Sequence, residues 1–210
     1  LNIVHRDLKP ENIMIGRDGR VLLMDFGIAH IMGVTKLTMT GALVGSPAHM
    51  APEIIEGQEI GPSSDIFALG TVLYTVLAHG ELPFMGRTPH EVMKKILDGD
   101  FADIRLISPM VGNELTDIVS RCMARNPEDR FPDAQAVTDA LDKAIPSEML
   151  PRTRPMIEAL YDNPESSRNE LILKLRESLE LELTKAQTSG NSAKLLDVIN
   201  RLLAIDPNHA

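Results

Sequence analysis

The sequence predicts a mainly α-helical fold, with one small β-hairpin near its start and a helical hairpin at its end. Three observations carry this. Two short apolar runs flank Arg17-Asp18-Gly19-Arg20, the pattern of strand, tight turn, strand. Ile66, Phe67, Leu69, Val72, Leu73, Val76 and Leu77 make a segment that is apolar nearly all round a helix, which is the signature of a buried core helix. Beyond residue 155, apolar side chains recur at spacings of three and four.

The elements follow in order. Asn12 to Gly16 and Val21 to Met24 read as the paired strands, with Asp18-Gly19 supplying the positive-φ turn. Residues 27–49 hold Gly, Thr, Ser and Pro with little periodicity and read as a long loop, a length usually tied to function. Ser63 and Ser64 are placed to cap a helix from Asp65 to about His79, ended by Gly80 and Pro83. Helices follow at about 89–98, 112–124 and 133–144. Pro146, Pro151 and Pro155 make 146–155 a linker by composition. Ile172, Leu175, Leu179 and Leu183 form one stripe; Leu195, Ile199, Leu202 and Leu203 form a second, with Ser189-Gly190-Asn191 between them. The expected units are thus a domain over 1–145, the linker, and a helical tail over 156–210.

Composition narrows the function. The chain has 210 residues and a net charge of −9. Residues 1–145 hold 13 basic and 20 acidic side chains, and the remainder 8 and 10. Neither part is a basic arm, so nucleic acid is not expected as a partner. Cys122 is the single cysteine, so an internal disulfide or a Cys-based zinc site is excluded, and a reducing, cytoplasmic setting is expected. The longest apolar run, Ile66 to Ala78, is interrupted by Gly70 and two threonines and is 13 residues, too short to span a bilayer.

The chemistry sits in His5-Arg6-Asp7-Leu8-Lys9-Pro10-Glu11-Asn12, followed by Asp25-Phe26-Gly27 and Ala51-Pro52-Glu53. These three motifs, in this order and with a hairpin between the first two, resemble the eukaryotic-type protein kinases. The resemblance covers about residues 1–145 and implies the C-terminal lobe of the kinase fold. It implies ATP and Mg²⁺ as cofactors, protein hydroxyls as substrate, and phosphoryl transfer achieved mostly by positioning and charge stabilisation. Asp7 matches the residue that orients the attacking hydroxyl. Asn12 and Asp25 match the two magnesium ligands, oxygen donors of the kind a hard cation takes. Lys9 matches the point charge near the transferred phosphate and points to the serine/threonine class. Met14 matches the apolar side chain beneath the adenine; plain core packing is its other reading.

The resemblance also implies structural roles. Arg6 matches an arginine that pairs with a phosphorylated activation-loop residue. Thr35, Thr38, Thr40 and Ser46 are the candidate acceptors. Leu37-Thr38-Met39-Thr40-Gly41 resembles the double-threonine loops of bacterial receptor-type kinases, so Thr38 and Thr40 are the expected phosphorylation sites. Ser46 stands in the substrate segment where the family usually has Thr, His49 where it has Tyr, and Phe67 where it has Trp. Asp65 matches a helix residue that holds the catalytic-loop backbone. Glu53 and Arg130 match a buried ion pair. His5 matches a residue that packs near Phe26.

The Gly-rich loop, the strand lysine and the paired helix glutamate of the family precede the catalytic loop and do not occur in this sequence. The chain starts at Leu1 and reads as a fragment, expected to be inactive on its own. A pseudokinase or scaffold that binds partners through lobe and tail is the alternative. The helix that covers one side of 65–79 in the family is mostly missing as well. That predicts an apolar patch on this helix, unless the tail folds back over it. Counting back from Pro207, residues 176–209 fit a tetratricopeptide-like repeat, a module that binds protein partners, and also fit a generic helical hairpin.

Overall fold

The computed structural model describes residues 4–26, 47–145 and 153–206. Thr35, Thr38, Thr40, Ser46, residues 146–152 of the expected linker, and the end of the repeat lie outside them. Among the described residues the element order is a β-hairpin followed by helices. Strand β1 (Ile13–Ile15) pairs antiparallel with β2 (Val21–Leu23), Met14 facing Leu22. Gly19 takes φ 72° at the turn, as Asp-Gly predicts. Helices α1 (Pro52–Ile55), α2 (Pro62–Leu77), α3 (Pro89–Asp98), α4 (Ile104–Ile107), α5 (Asn113–Cys122) and α6 (Ala134–Ala144) complete the first unit. The tail is α7 (Thr153–Asp162), α8 (Pro164–Ser189) and α9 (Ser192–Ile205).

Helix α2 is the axis of the lobe. Phe67 and Tyr74 are fully buried and meet Phe84, Ile96, Ile104, Val119 and Met123 in the main core. Phe67 stacks parallel to Phe84, and Phe101 meets Tyr74 and Phe84 edge-on. On another face, Ile66 joins Ile118, Cys122, Phe131 and Val137 beneath α6. Helices α2 and α5 approach so closely that a Cβ on Gly70 would lie 2.6 Å from the Cβ of Cys122. Glycine is therefore required there. Burial pushes the Cys122 thiol up to about 12, so it behaves as a small apolar side chain.

Several boundaries differ from expectation. Helix α2 begins at Pro62, not Asp65, because proline is pre-set for the first helical position. Gly61 is the N-cap, and Ser64 sits three residues inside, its hydroxyl accepting from the Gly61 N–H at 3.4 Å. The helix ends at Leu77, and His79 and Gly80 then take positive φ. The expected linker ends early: Pro155 lies in the first turn of α7, where a missing N–H costs nothing. Helix α8 starts at Pro164, eight residues before the Ile172 stripe, with Asn163 capping Ser166.

The tail docks on the lobe, but not over α2. The N-cap of α5, Gly112, has no side chain to offer; the Asp197 carboxylate on α9 accepts from the Asn113 N–H at 3.0 Å instead. Lys194 bridges Glu114 (2.9 Å) and Glu182 (3.1 Å). Arg201 donates to the Met110 carbonyl and lies over Gly112. At its other end the tail meets the hairpin: the Tyr161 hydroxyl donates to the Ile15 carbonyl, and Arg154 backs onto Gly19. Nor does the expected apolar patch lie on α2, whose one largely exposed large apolar residue is Val76. It lies on the hairpin, where Met14, Ile15, Val21, Leu22, Leu23 and Phe26 are each 40% or more exposed.

Candidate active site

The loop before β1 carries the candidate chemistry, and α2 holds it. The two oxygens of Asp65 accept from the backbone N–H groups of His5 (2.6 Å) and Arg6 (2.9 Å). Those bonds support Arg6 at φ 67°, a region that costs a non-glycine residue about 1–3 kcal/mol. His5 is buried and has its tautomer fixed by its partners. Its Nε2 donates to the Met24 carbonyl at 2.9 Å, and its Nδ1 accepts from the Asp7 N–H at 3.3 Å. Its ring lies 4.8 Å from that of Phe26. One imidazole thus joins the loop before β1 to the residues following β2.

Asp7, Lys9 and Asn12 come together. Lys9 Nζ lies 2.8 Å from Asp7 Oδ2. Asn12 Nδ2 donates to the Asp7 carbonyl (2.7 Å) and to Oδ2 (3.1 Å). Asp7 and Lys9 are each about one-third exposed, so the carboxylate is fixed in direction yet open to a reactant. With its amide N–H groups used on Asp7, Asn12 is left with Oδ1, an oxygen donor that fits Mg²⁺. Asp25 follows β2 at φ 52°, its side chain exposed; no hydrogen bond joins it to Asp7 or Asn12 among the described residues. Among those residues no cluster of three or more His, Cys, Asp or Glu could hold a metal unaided. A two-ligand Mg²⁺ site completed by phosphate oxygens and water is the kind these donors could build. Met14 is on β1 at the exposed hairpin surface, not in a core.

The Glu53–Arg130 pair is deeply buried, and every polar hydrogen of the guanidinium is used. Arg130 meets both Glu53 oxygens at 2.8 Å and donates to the carbonyls of Ser63, Ala124 and Arg125. Phe67 lies beneath it, 5.0 Å from ring centre to guanidinium carbon. Burial pushes the Glu53 carboxyl upward, but the bonds from Arg130 and Ser64 prevail and hold it below the usual range. The segment Pro47–His49 lies against α2 and α3, and His49 Nδ1 is 2.7 Å from Thr71 Oγ1. In the sequence His49 stands out only as a departure from the family pattern, and nothing there marks Thr71, Asp197 or Tyr161. Each works through a contact with no local sequence signal.

A family model for the protein kinase domain matches residues 1–141. The chain belongs to the protein kinase family. Tyrosine-protein kinase MasK of Myxococcus xanthus is 40% identical over 142 residues, covering 68% of this chain and 22% of that protein. Serine/threonine-protein kinase PknL of Mycobacterium tuberculosis is 34% identical over 152 residues, covering 72% of this chain and 38% of that protein. Serine/threonine-protein kinase PknB of Mycolicibacterium smegmatis is 37% identical over 131 residues, 61% of this chain and 21% of that protein. The kinase chain thus spans well under half the length of these relatives. Among its described residues no helix is long and apolar enough to cross a membrane.

Proposed function

We propose that this kinase chain carries the substrate-side half of a bacterial serine/threonine protein kinase site, which transfers the γ-phosphoryl group of ATP to a protein hydroxyl. The observation that carries this reading is the Asp7–Lys9–Asn12 cluster, clamped onto α2 through Asp65. Asp7 accepts the hydrogen bond of the incoming hydroxyl, aligns its oxygen and takes up its proton. Asn12 holds the direction of Asp7. Lys9 offsets the negative charge that gathers where the phosphate passes. Asn12 and Asp25 would hold Mg²⁺, which supplies charge neutralisation on the nucleotide phosphates. Met14, exposed beside Leu22, offers an apolar floor for adenine. Arg6 serves as the partner of phosphorylated Thr38 or Thr40, and Ser46 as the hydroxyl of the substrate segment.

The serine/threonine preference rests on Lys9 and on the names of PknL and PknB; MasK is named for tyrosine. The 210 residues carry none of the family's phosphate-covering loop, so this chain alone is expected to transfer little phosphate. Radiolabelled ATP assays, on the chain and on a kinase that joins it to a nucleotide-binding half, test the reading. Transfer by the joined kinase should fall at least about 10²-fold in Asp7→Asn. Phosphoamino-acid analysis then separates serine and threonine from tyrosine. Unchanged turnover in Asp7→Asn would favour a scaffold that binds protein partners through the lobe and tail.

A further inference from the structure

Helix α2 touches two segments that must be in register for a hydroxyl to reach Asp7. Through Asp65 it holds the catalytic loop. Six residues on, about 9 Å along the helix axis, Thr71 holds the segment Pro47–His49. Thr71 is fully buried, so its one hydroxyl proton can be accounted for. The Thr71 oxygen lies 2.7 Å from the Ala68 carbonyl oxygen, which can only accept. Two oxygens at that distance need a proton between them, so the hydroxyl donates to Ala68. The same oxygen lies 2.7 Å from His49 Nδ1. With the hydroxyl proton already committed, this second contact is a hydrogen bond only if His49 is the donor. His49 therefore carries a proton on Nδ1, and in the neutral ring Nε2 is then a bare acceptor. Burial, the largest influence on His49, lowers its pKa, which favours the neutral ring. Glu11, Lys9 and Asp7 are the charges that act on it, so it sits within electrostatic reach of the catalytic loop.

We propose that His49 and Thr71 are positioning residues: the Nδ1–H to hydroxyl bond pins the substrate segment to α2, at a fixed offset from Asp7. The functional part rests on the kinase reading; the protonation state does not. The bond asks for a donor at the Nδ1 position. Asn places its amide nitrogen there, whereas Gln places its own at the position of Nε2. Thr71→Ser keeps the hydroxyl, and Thr71→Val removes it at nearly constant volume.

The test has two arms. Proton–nitrogen correlation spectra of the histidine-labelled 210-residue chain at neutral pH report each ring directly. The His49 signal is assigned by its loss in His49→Asn. It should show a protonated Nδ1 and a bare Nε2, lose that pattern in Thr71→Val, and keep it in Thr71→Ser. A protonated Nε2 in the unsubstituted chain, or a pattern unmoved by Thr71→Val, overturns the assignment. In the joined kinase, Thr71→Val and His49→Gln should raise the KM for a peptide substrate about fivefold, the scale of one neutral hydrogen bond. Turnover should stay within about twofold, and His49→Asn and Thr71→Ser should restore KM. An equal loss of kcat with KM unmoved rejects the positioning role. A joined kinase with no transfer in its unsubstituted form counts against the kinase reading alone, and the spectra still decide the bond.

Discussion

Helix α2 and the β1–β2 hairpin are both rich in large apolar side chains, yet they meet opposite environments. Phe67 and Tyr74 on α2 are 0% and 1% exposed; Met14, Val21 and Leu22 on the hairpin are 48%, 59% and 48% exposed. In α2, helices and loops supply cover on nearly every side. In the hairpin, Met14 and Leu22 face one side while Ile15 and Val21 face the other, so both faces are apolar. That is the pattern of a strand covered on both sides. Apolar composition is thus the same signal in both places; what differs is the neighbours. A contiguous apolar surface of this kind is unusual on a folded unit.

That contrast can be broken by substitution. Phe67→Ala should cost about 3–5 kcal/mol, since the cavity opens in the fully buried main core beside Phe84. Met14→Ala should change stability by less than about 0.5 kcal/mol. Denaturant melts of both variants decide this, and comparable losses would erase the distinction between the regions. Arg130→Met should also cost about 3–5 kcal/mol, because Glu53 is then buried without its partner.

The same pair sets an acid limit. Glu53 has a folded-state pKa below its unfolded one, so its contribution is present above the unfolded value, 4.5, and fades as pH falls through the lower folded value. Melts in Glu53→Gln should be weaker at neutral pH and show a flatter acid dependence below about pH 5. Asp197→Ala should cost about 1 kcal/mol, as loss of a helix cap does, and should speed amide exchange at Asn113. The smallest stability effect is Leu22→Ser on the hairpin. It should leave the melting midpoint in place while reducing binding of a hydrophobic dye, and a lowered midpoint would mean the hairpin face is part of the core.

Much of this was legible in the sequence, for identifiable reasons. The hairpin followed from Asp18-Gly19 and α2 from its unbroken apolar surface; the helix read over 89–98 is α3, which Thr88 caps and Gly99 ends. The Asp7, Lys9 and Asn12 cluster lies within six residues, so one short motif contains it. Ser63 and Ser64 have cap-type side chains, yet Gly61 takes the N-cap position and Pro62 begins α2, three residues before Asp65. Pro155 reads as a breaker unless the helix is known to begin just before it. Asp197 meets Asn113 across 84 residues, and His49 meets Thr71 across two elements; no window of sequence holds both partners.

The cap donated by Asp197 has a consequence for synthesis. A chain made from its N-terminus completes α5 long before residue 197 exists, and Gly112 offers that helix no side chain to close its first turn. The missing acceptor arrives 84 residues later, a delay of roughly 4–17 s at ribosomal rates of about 5–20 residues per second. During that interval the first turn of α5 is the frayed edge of the nascent lobe. Chaperones and proteases would meet it there, until α9 comes off the ribosome and closes it.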